Sequence, residues 1–136
     1  MIDCGCILLR ALTRSWTDPD NENQIKPEAF FRRAPIVKDG AIVCPRDQDG
    51  LSVFRGDKIT ADECADQFGT CFGVVTVHAG TLRDLGLEII ADPEDDRKAL
   101  ITNLPFENPG DPAQEFLIGR VADSARVVLR CNKRRR

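Results

Sequence analysis

Histidine occurs only once in this chain of 136 residues, at position 78. Any catalytic mechanism that requires two imidazole groups is therefore excluded. The common catalytic and phosphate-binding motifs are also missing: the sequence has no Walker loop, no G-x-G-x-x-G, no G-x-S-x-G and no H-E-x-x-H. The residues leave open whether the protein is an enzyme, and we expect no cofactor.

Long apolar runs are lacking as well. No stretch approaches the roughly 18 consecutive apolar residues that cross a bilayer. The first apolar stretch, CILLRAL, is interrupted by Arg10 and is too short for the core of a usual signal peptide. We therefore expect a cytoplasmic protein without a membrane partner.

The six cysteines form no C-x-x-C pair. The closest spacings, Cys4-x-Cys6 and Cys64-x6-Cys71, are not those of a zinc knuckle. A zinc site would require distant residues such as Cys4, Cys6 and Cys131 to meet, which is conceivable because chain ends often lie close together. Since a reducing cytosol also disfavours disulfides, we expect neither a metal site nor a disulfide framework.

Charge is distributed unevenly along the chain. The last four residues, Lys133, Arg134, Arg135 and Arg136, are basic, whereas the rest of the chain holds 15 basic groups against 22 acidic ones. An acidic body repels phosphates over most of its surface. Contact with nucleic acid is thus expected only through this basic tail, and the alternatives are a frayed end or a tail that folds back on its own acidic surface.

The composition, 42% hydrophobic and 30% charged, is that of an ordinary globular domain. We predict one domain over residues 1–131, followed by a basic tail at 132–136. Its fold class is α+β: a mixed or antiparallel sheet of about five to seven short strands with two or three short helices packed on it. The strands are predicted at 6–12, 41–44, 51–55, 72–79, 87–91, 99–104 and 126–131, and the segment TDPDNENQ is predicted to be a polar loop.

Two helix starts are marked in the sequence. Asp111 resembles an N-cap with Pro112 at the first helical position, and the stretch GDKITADECADQFG contains the other start. Thr60 and Glu63 form the T-x-x-E pattern of a capping box. Cys64 then lies on an apolar stripe with Ala65 and Phe68, at helical spacing. The pattern indicates that Cys64 is a buried packing residue rather than a reactive one.

Arg10 is the one polar residue on an otherwise apolar strand face, and it has to find an anion or reach solvent. A guanidinium can clamp a phosphate, and an aromatic ring can stack on a base. Arg10, Phe30, Phe31 and Ser52 are therefore the candidate ligand-binding residues. His78, at a strand end, is a candidate catalytic base, although a lone histidine there is more often structural.

The order of Arg10 and Ser52 resembles the first half of the arginine–serine–glutamate arrangement of ADP-ribosyltransferases. The resemblance implies a nucleotide-handling enzyme that binds NAD or a related dinucleotide. In it Arg10 holds a phosphate, and Ser52 and His78 lie near the reacting group. The chain lacks the family's E-x-E glutamate pair, which Glu107 or Glu115 would have to replace.

The favoured function is a small binding or interaction protein without its own catalysis. Its partner would be another protein or a second copy of the chain, and an edge strand such as residues 126–130 could pair with it. The nucleotide-handling enzyme and nucleic-acid contact through the tail are the alternatives.

Overall fold

Six strands form an antiparallel sheet in the computed structural model, which describes residues 2–12, 17–18, 21–25, 27–44, 47–68, 73–106 and 110–130. The members of this sheet are β1 (Ile7–Leu12), β6 (Leu51–Arg55), β7 (Gly73–His78), β8 (Ile89–Ala91), β9 (Lys98–Ile101) and β10 (Arg126–Arg130). Their order in the sheet is β10-β7-β1-β6-β9-β8, and each neighbouring pair is antiparallel.

The helices are short and lie around the sheet. They are a 3-10 helix (Pro27–Phe30), α1 (Ala61–Ala65), α2 (Ala79–Asp84) and α3 (Pro112–Ser124). The α+β class and the single compact domain are confirmed, and the sheet is antiparallel rather than mixed. None of the described helices is long and apolar enough to pass through a membrane.

Each face of the sheet is covered by different elements. The first face carries Leu8, Leu12, Val53, Val75 and Val77, and it packs against the 3-10 helix, α2 and α3. The second face carries Leu9, Ala11, Phe54 and Val74, and it packs against Cys64 and Ala65 of α1. This division follows from the strict alternation of side chains along a strand.

The capping box of α1 is confirmed. The Thr60 hydroxyl accepts a hydrogen bond from the Glu63 amide at 3.2 Å, and the Glu63 carboxylate accepts one from the Thr60 amide at 3.0 Å. Cys64 is fully buried, as its position on the stripe predicts. The helix ends at Ala65, earlier than the stripe suggests, but Phe68 still packs edge-on against Phe54 with ring centroids 6.4 Å apart.

The start of α3 is also as predicted. The Asp111 carboxylate accepts a hydrogen bond from the Ala113 amide at 2.9 Å, and Pro112 is the first helical residue. In α1 and α3 the start of the helix can be predicted from the sequence, because one side chain satisfies a backbone amide that the helix leaves without a partner.

Strand β10 departs from its predicted alternation. Val127 pairs with Val75, and Leu129 pairs with the next residue back, Val74, so Val128 forms a bulge. As a result Val127 packs on the first face and Leu129 on the second. Regular alternation along the predicted strand 126–131 would place Val127 and Leu129 on one face, and this expectation is wrong because a bulge inserts one residue without a partner.

Two further hairpins lie outside the main sheet. The first pairs β2 (Thr17–Asp18) with β3 (Asn21–Ile25), so the prediction of a polar loop there was wrong. The second pairs β4 (Ile36–Lys38), which the sequence analysis missed, with the expected β5 (Ala41–Cys44). Its turn places Asp39 at φ 54° and Gly40 at φ 77°. Asp-Gly is favoured in such a turn because both positions need a positive φ.

Candidate functional site

Arg10 is half-buried on the first face, beneath the 3-10 helix. Its Nε donates to the Ala29 carbonyl oxygen at 2.9 Å, and one terminal nitrogen donates to the Ser52 carbonyl oxygen at 3.2 Å. Burial lowers the pKa of Arg10 from 12.5 to about 10, while the nearby Asp47 carboxylate acts in the opposite direction. The side chain is thus charged at neutral pH and ties a helix to a strand.

Ser52 lies close to Arg10, but the contact is made through the Ser52 backbone. Its side chain alternates with those of Leu51 and Val53 on the first face, so it lies on the second face with Phe54. The hydroxyl group of Ser52 and the guanidinium group of Arg10 therefore lie on opposite sides of the sheet. The contact uses a carbonyl that any residue would supply.

The two predicted aromatic residues differ in exposure. Phe30 is fully buried in the core, and Phe31 is partly buried against the same cluster. Phe30 is therefore packed by protein atoms rather than presented for stacking on a base. The ligand-binding role of Arg10, Phe30, Phe31 and Ser52 stays a prediction.

His78 is not brought to this group. It pairs with Ile7 at the end of β7, whereas Arg10 pairs with Val75. Three residues along a strand span about 10 Å and reverse the side-chain direction. His78 therefore lies on the other face from Arg10, exposed at the start of α2. Its catalytic role also stays a prediction.

Another arginine, Arg32, was not singled out from the sequence, although it is more deeply buried than Arg10. It is 8% exposed, and its guanidinium donates to four main-chain carbonyl oxygens. Its Nε binds the Asp47 carbonyl at 3.1 Å, one terminal nitrogen binds Thr102 at 2.9 Å and Leu104 at 3.5 Å, and the other binds Gln48. The guanidinium carbon also lies 4.1 Å from the centre of the Phe106 ring.

Asp47 completes this cluster. Its carboxylate accepts hydrogen bonds from the Arg33 amide at 2.8 Å and from the Arg33 Nε at 3.1 Å. We call Arg32, Arg33 and Asp47 the base clamp, because residues 32–33 enter the β4–β5 hairpin and residue 47 follows it. The clamp joins both ends of the hairpin to each other and, through Thr102 and Leu104, to the body of the protein.

Beyond the base clamp, the β4–β5 hairpin is exposed along both strands. Four of its large apolar side chains reach solvent: Ile36 is 37% exposed, Val37 55%, Ile42 50% and Val43 57%. Val37 and Ile42 are direct cross-strand partners. Soluble proteins rarely expose contiguous apolar groups of this kind unless the surface binds something.

The sequence contains a signal for this hairpin that is absent from the strand predictions above. Apolar residues flank the Asp39-Gly40 pair on both sides, in IVKDGAIV, and this pattern is the strongest short-range sign of a hairpin. By contrast, no sequence signal marks Arg32 as buried. Its carbonyl partners include residues about 70 positions away, such as Thr102 and Leu104.

The described residues contain no group of three or more histidine, cysteine or acidic side chains able to hold a metal ion. Cys4, Cys6 and Cys44 are free thiols. Burial, together with the negative Asp57, raises the pKa of the Cys6 thiol above its ordinary value of 9.0. Cys71 and Cys131 lie outside the described residues, so the expected absence of metal and disulfides stays a prediction.

The basic tail, Lys133, Arg134, Arg135 and Arg136, also lies outside the described residues. Contact with nucleic acid through it therefore stays a prediction. In comparisons with known proteins, no family model, no curated protein and no solved structure matches the chain.

Proposed function

We propose that this protein is a protein-interaction module and that the β4–β5 hairpin is its contact surface. One observation carries the proposal: Ile36, Val37, Ile42 and Val43 are exposed on a ribbon whose base is held by a buried guanidinium and a buried carboxylate. Apolar side chains on a fixed ribbon can bury area against a partner at low entropic cost.

The base clamp supports this reading energetically. Burying a charged group is expensive unless it is hydrogen-bonded, and Arg32 and Asp47 are the two buried polar or charged residues among those described. Both hold the hairpin rather than line a cavity. Because Arg32 and Asp47 hold both ends of the hairpin, its orientation is fixed. A fixed orientation is typical of a surface that binds one partner rather than of a loose loop.

The partner expected for such a ribbon is another protein with an apolar groove or an open strand edge. A two-stranded ribbon offers an outer strand edge for backbone pairing and two apolar faces for packing. A second copy of the chain is the other occupant to be distinguished, and pairing of identical hairpins would give a symmetric dimer.

Photo-crosslinking in the native cell tests the proposal. A photoreactive amino acid at position 43 is expected to capture a specific protein, and the same group at Val128, equally exposed on β10, is not. The captured protein is then purified and titrated against the Val37→Thr/Ile42→Thr variant. Threonine keeps the strand shape and removes apolar surface, so we expect binding about tenfold weaker or worse.

The matched control is Ile7→Thr/Val128→Thr, which removes two exposed apolar side chains elsewhere on the surface. This variant should bind as the wild type does. Equal binding by both double variants would refute the hairpin as the contact surface. Sedimentation of the wild-type chain separates a dimer from a complex with another protein.

A further inference from the structure

Strand β8 lies at one end of the main sheet and is paired on one side by β9. The Thr102 amide donates to the Glu88 carbonyl at 2.9 Å, and the Asp92 amide donates to the Lys98 carbonyl at 3.1 Å. In an antiparallel ladder every second residue faces the neighbouring strand. The backbone groups of Glu88, Ile90 and Asp92 therefore face β9, and those of Ile89 and Ala91 face away from it.

A groove of about 720 Å³ lies at this strand. Residues 86–91 line it together with Arg83 and Asn103. Within the described part of the chain no further strand pairs with β8. The outward amides and carbonyls of Ile89 and Ala91 are thus placed where an added strand would meet them.

The side chains next to this edge are acidic. Glu88, Ile90 and Asp92 share the second face, with Ile90 between the two acidic residues. The side chain of Ile90 is 41% exposed. No described lysine or arginine forms an ion pair with Glu88 or Asp92. Arg83, the cation that lines the groove, is turned toward the Cys4 sulfur at 3.1 Å and toward the Ile2 carbonyl.

We propose that the β8 edge binds an extended peptide segment of a partner protein, with the pattern basic-x-apolar-x-basic. Such a segment pairs its backbone with Ile89 and Ala91 and sets an apolar side chain beside Ile90. Its two basic side chains then lie opposite Glu88 and Asp92, because cross-strand neighbours share a face. This inference concerns a separate surface from the hairpin and does not rest on the proposed function.

A second copy of the chain fits this edge poorly. Pairing β8 with itself around Ile90 sets Glu88 of each copy against Asp92 of the other, and like charges directly opposite are destabilising. The strand at the other end of the sheet, β10, is interrupted by the bulge at Val128, and a bulge protects an edge from pairing. A basic partner segment is therefore favoured over self-association.

The test uses the synthetic peptide acetyl-Thr-Lys-Thr-Val-Thr-Lys-Thr-amide and its counterpart with both lysines replaced by glutamate. Binding is followed by NMR on the full chain at low salt. The lysine peptide is expected to shift the amide signals of Ile89 and Ala91 and to bind about tenfold more tightly than the glutamate peptide. The difference should shrink as salt is added.

Four variants make the outcome specific. Glu88→Lys/Asp92→Lys should reverse the preference, whereas the charge-matched Glu115→Lys/Asp123→Lys on α3 should keep it. Ala91→Pro removes one outward amide and no bond to β9, so it should leave the fold intact and abolish peptide binding. The hairpin variant Val37→Thr/Ile42→Thr should still bind the peptide, which keeps this test separate from that of the proposed function.

Several results would overturn the inference. One is equal binding of the two peptides, and another is no binding of the lysine peptide at millimolar concentration. A third is a set of perturbed amides away from residues 86–92. Self-association of the wild-type chain that Ala91→Pro abolishes would show that a second copy occupies the edge instead.

Discussion

At the scale of single residues, Arg10 and Arg32 share one role. Each guanidinium donates to main-chain carbonyl oxygens from separate parts of the chain: Ala29 and Ser52 for Arg10, and residues such as Asp47 and Thr102 for Arg32. Arginine suits this role because its planar group offers five donors in fixed directions. These side chains join loops to the sheet.

Replacing Arg10 by alanine tests this role. The substitution leaves the Ala29 and Ser52 carbonyls without their charged donor in a buried place, so we expect the free energy of unfolding to fall by about 3 kcal/mol. Urea denaturation followed by circular dichroism measures the change.

Ser52→Ala is the matched control for Arg10→Ala. Arg10 binds the main-chain carbonyl of Ser52, so this variant should change stability by no more than about 0.5 kcal/mol. If Ser52→Ala were as damaging as Arg10→Ala, the hydroxyl would have a role that the structure does not show.

A rise in the melting temperature of the protein on addition of NAD, lost in the Arg10→Ala variant, would instead favour the nucleotide-handling alternative.

At the scale of elements, two glycines show how local geometry decides whether a substitution by alanine raises or lowers the free energy of unfolding. Gly119 lies inside α3, and a Cβ placed there meets no atom within 4 Å. Alanine should therefore raise the free energy of unfolding by about 0.5–1 kcal/mol, because it restricts the unfolded chain and favours the helix. A higher melting temperature in calorimetry is the expected result.

The same substitution at Gly56 should act in the opposite direction. A Cβ there would lie 2.6 Å from the Ile7 carbonyl oxygen, which is a backbone atom that cannot rotate away. We expect Gly56→Ala to destabilise the protein by more than about 1 kcal/mol. Equal effects of Gly119→Ala and Gly56→Ala would contradict the packing described for β1 and α3.

At the scale of the whole molecule, charge pairs and a buried thiol set the pH range of stability. The Arg55 guanidinium lowers the pKa of Asp57, and Arg97 lowers the pKa of Asp95 from 3.8 to about 2. A lowered pKa in the folded state means that stabilisation is present above pH 3.8 and is lost as the pH falls toward 2.

The Cys6 thiol affects stability at alkaline pH, because its pKa is raised in the folded state. Its stabilisation is present below pH 9.0 and is lost as the pH rises further.

We therefore expect unfolding free energy to be roughly constant between about pH 4 and 9 and to fall outside that range. Chemical denaturation at a series of pH values measures this profile. The double variant Arg55→Gln/Arg97→Gln should flatten the acid side, and Cys6→Ala should reduce the fall on the alkaline side. An unchanged acid side in the double variant would show that other carboxylates control it.

Prediction from the sequence succeeded where the cause is local. The capping box at Thr60 and the N-cap at Asp111 each involve groups within three residues, and both are present. The apolar stripe correctly placed Cys64 in the core. Prediction failed at the β2–β3 hairpin, whose sequence TDPDNENQ has the polar composition of a loop, and at the bulge in β10. Both features are decided by strand pairing: the bulge by the pairing of β10 with β7, and the hairpin by the pairing of β2 with β3.

The candidate site divides in the same way. From the sequence alone, Arg10 stands out as a charge on an apolar strand, because side chains alternate along any strand. Only the tertiary structure decided that its partners are carbonyl oxygens of Ala29 and Ser52, since these contacts join residues 19 and 42 positions apart. Likewise, the alternation of apolar residues indicated the six strands of the main sheet. The order of those strands left β8 at an edge and the β4–β5 hairpin in solvent, because pairing depends on packing of the whole chain rather than on neighbours in sequence.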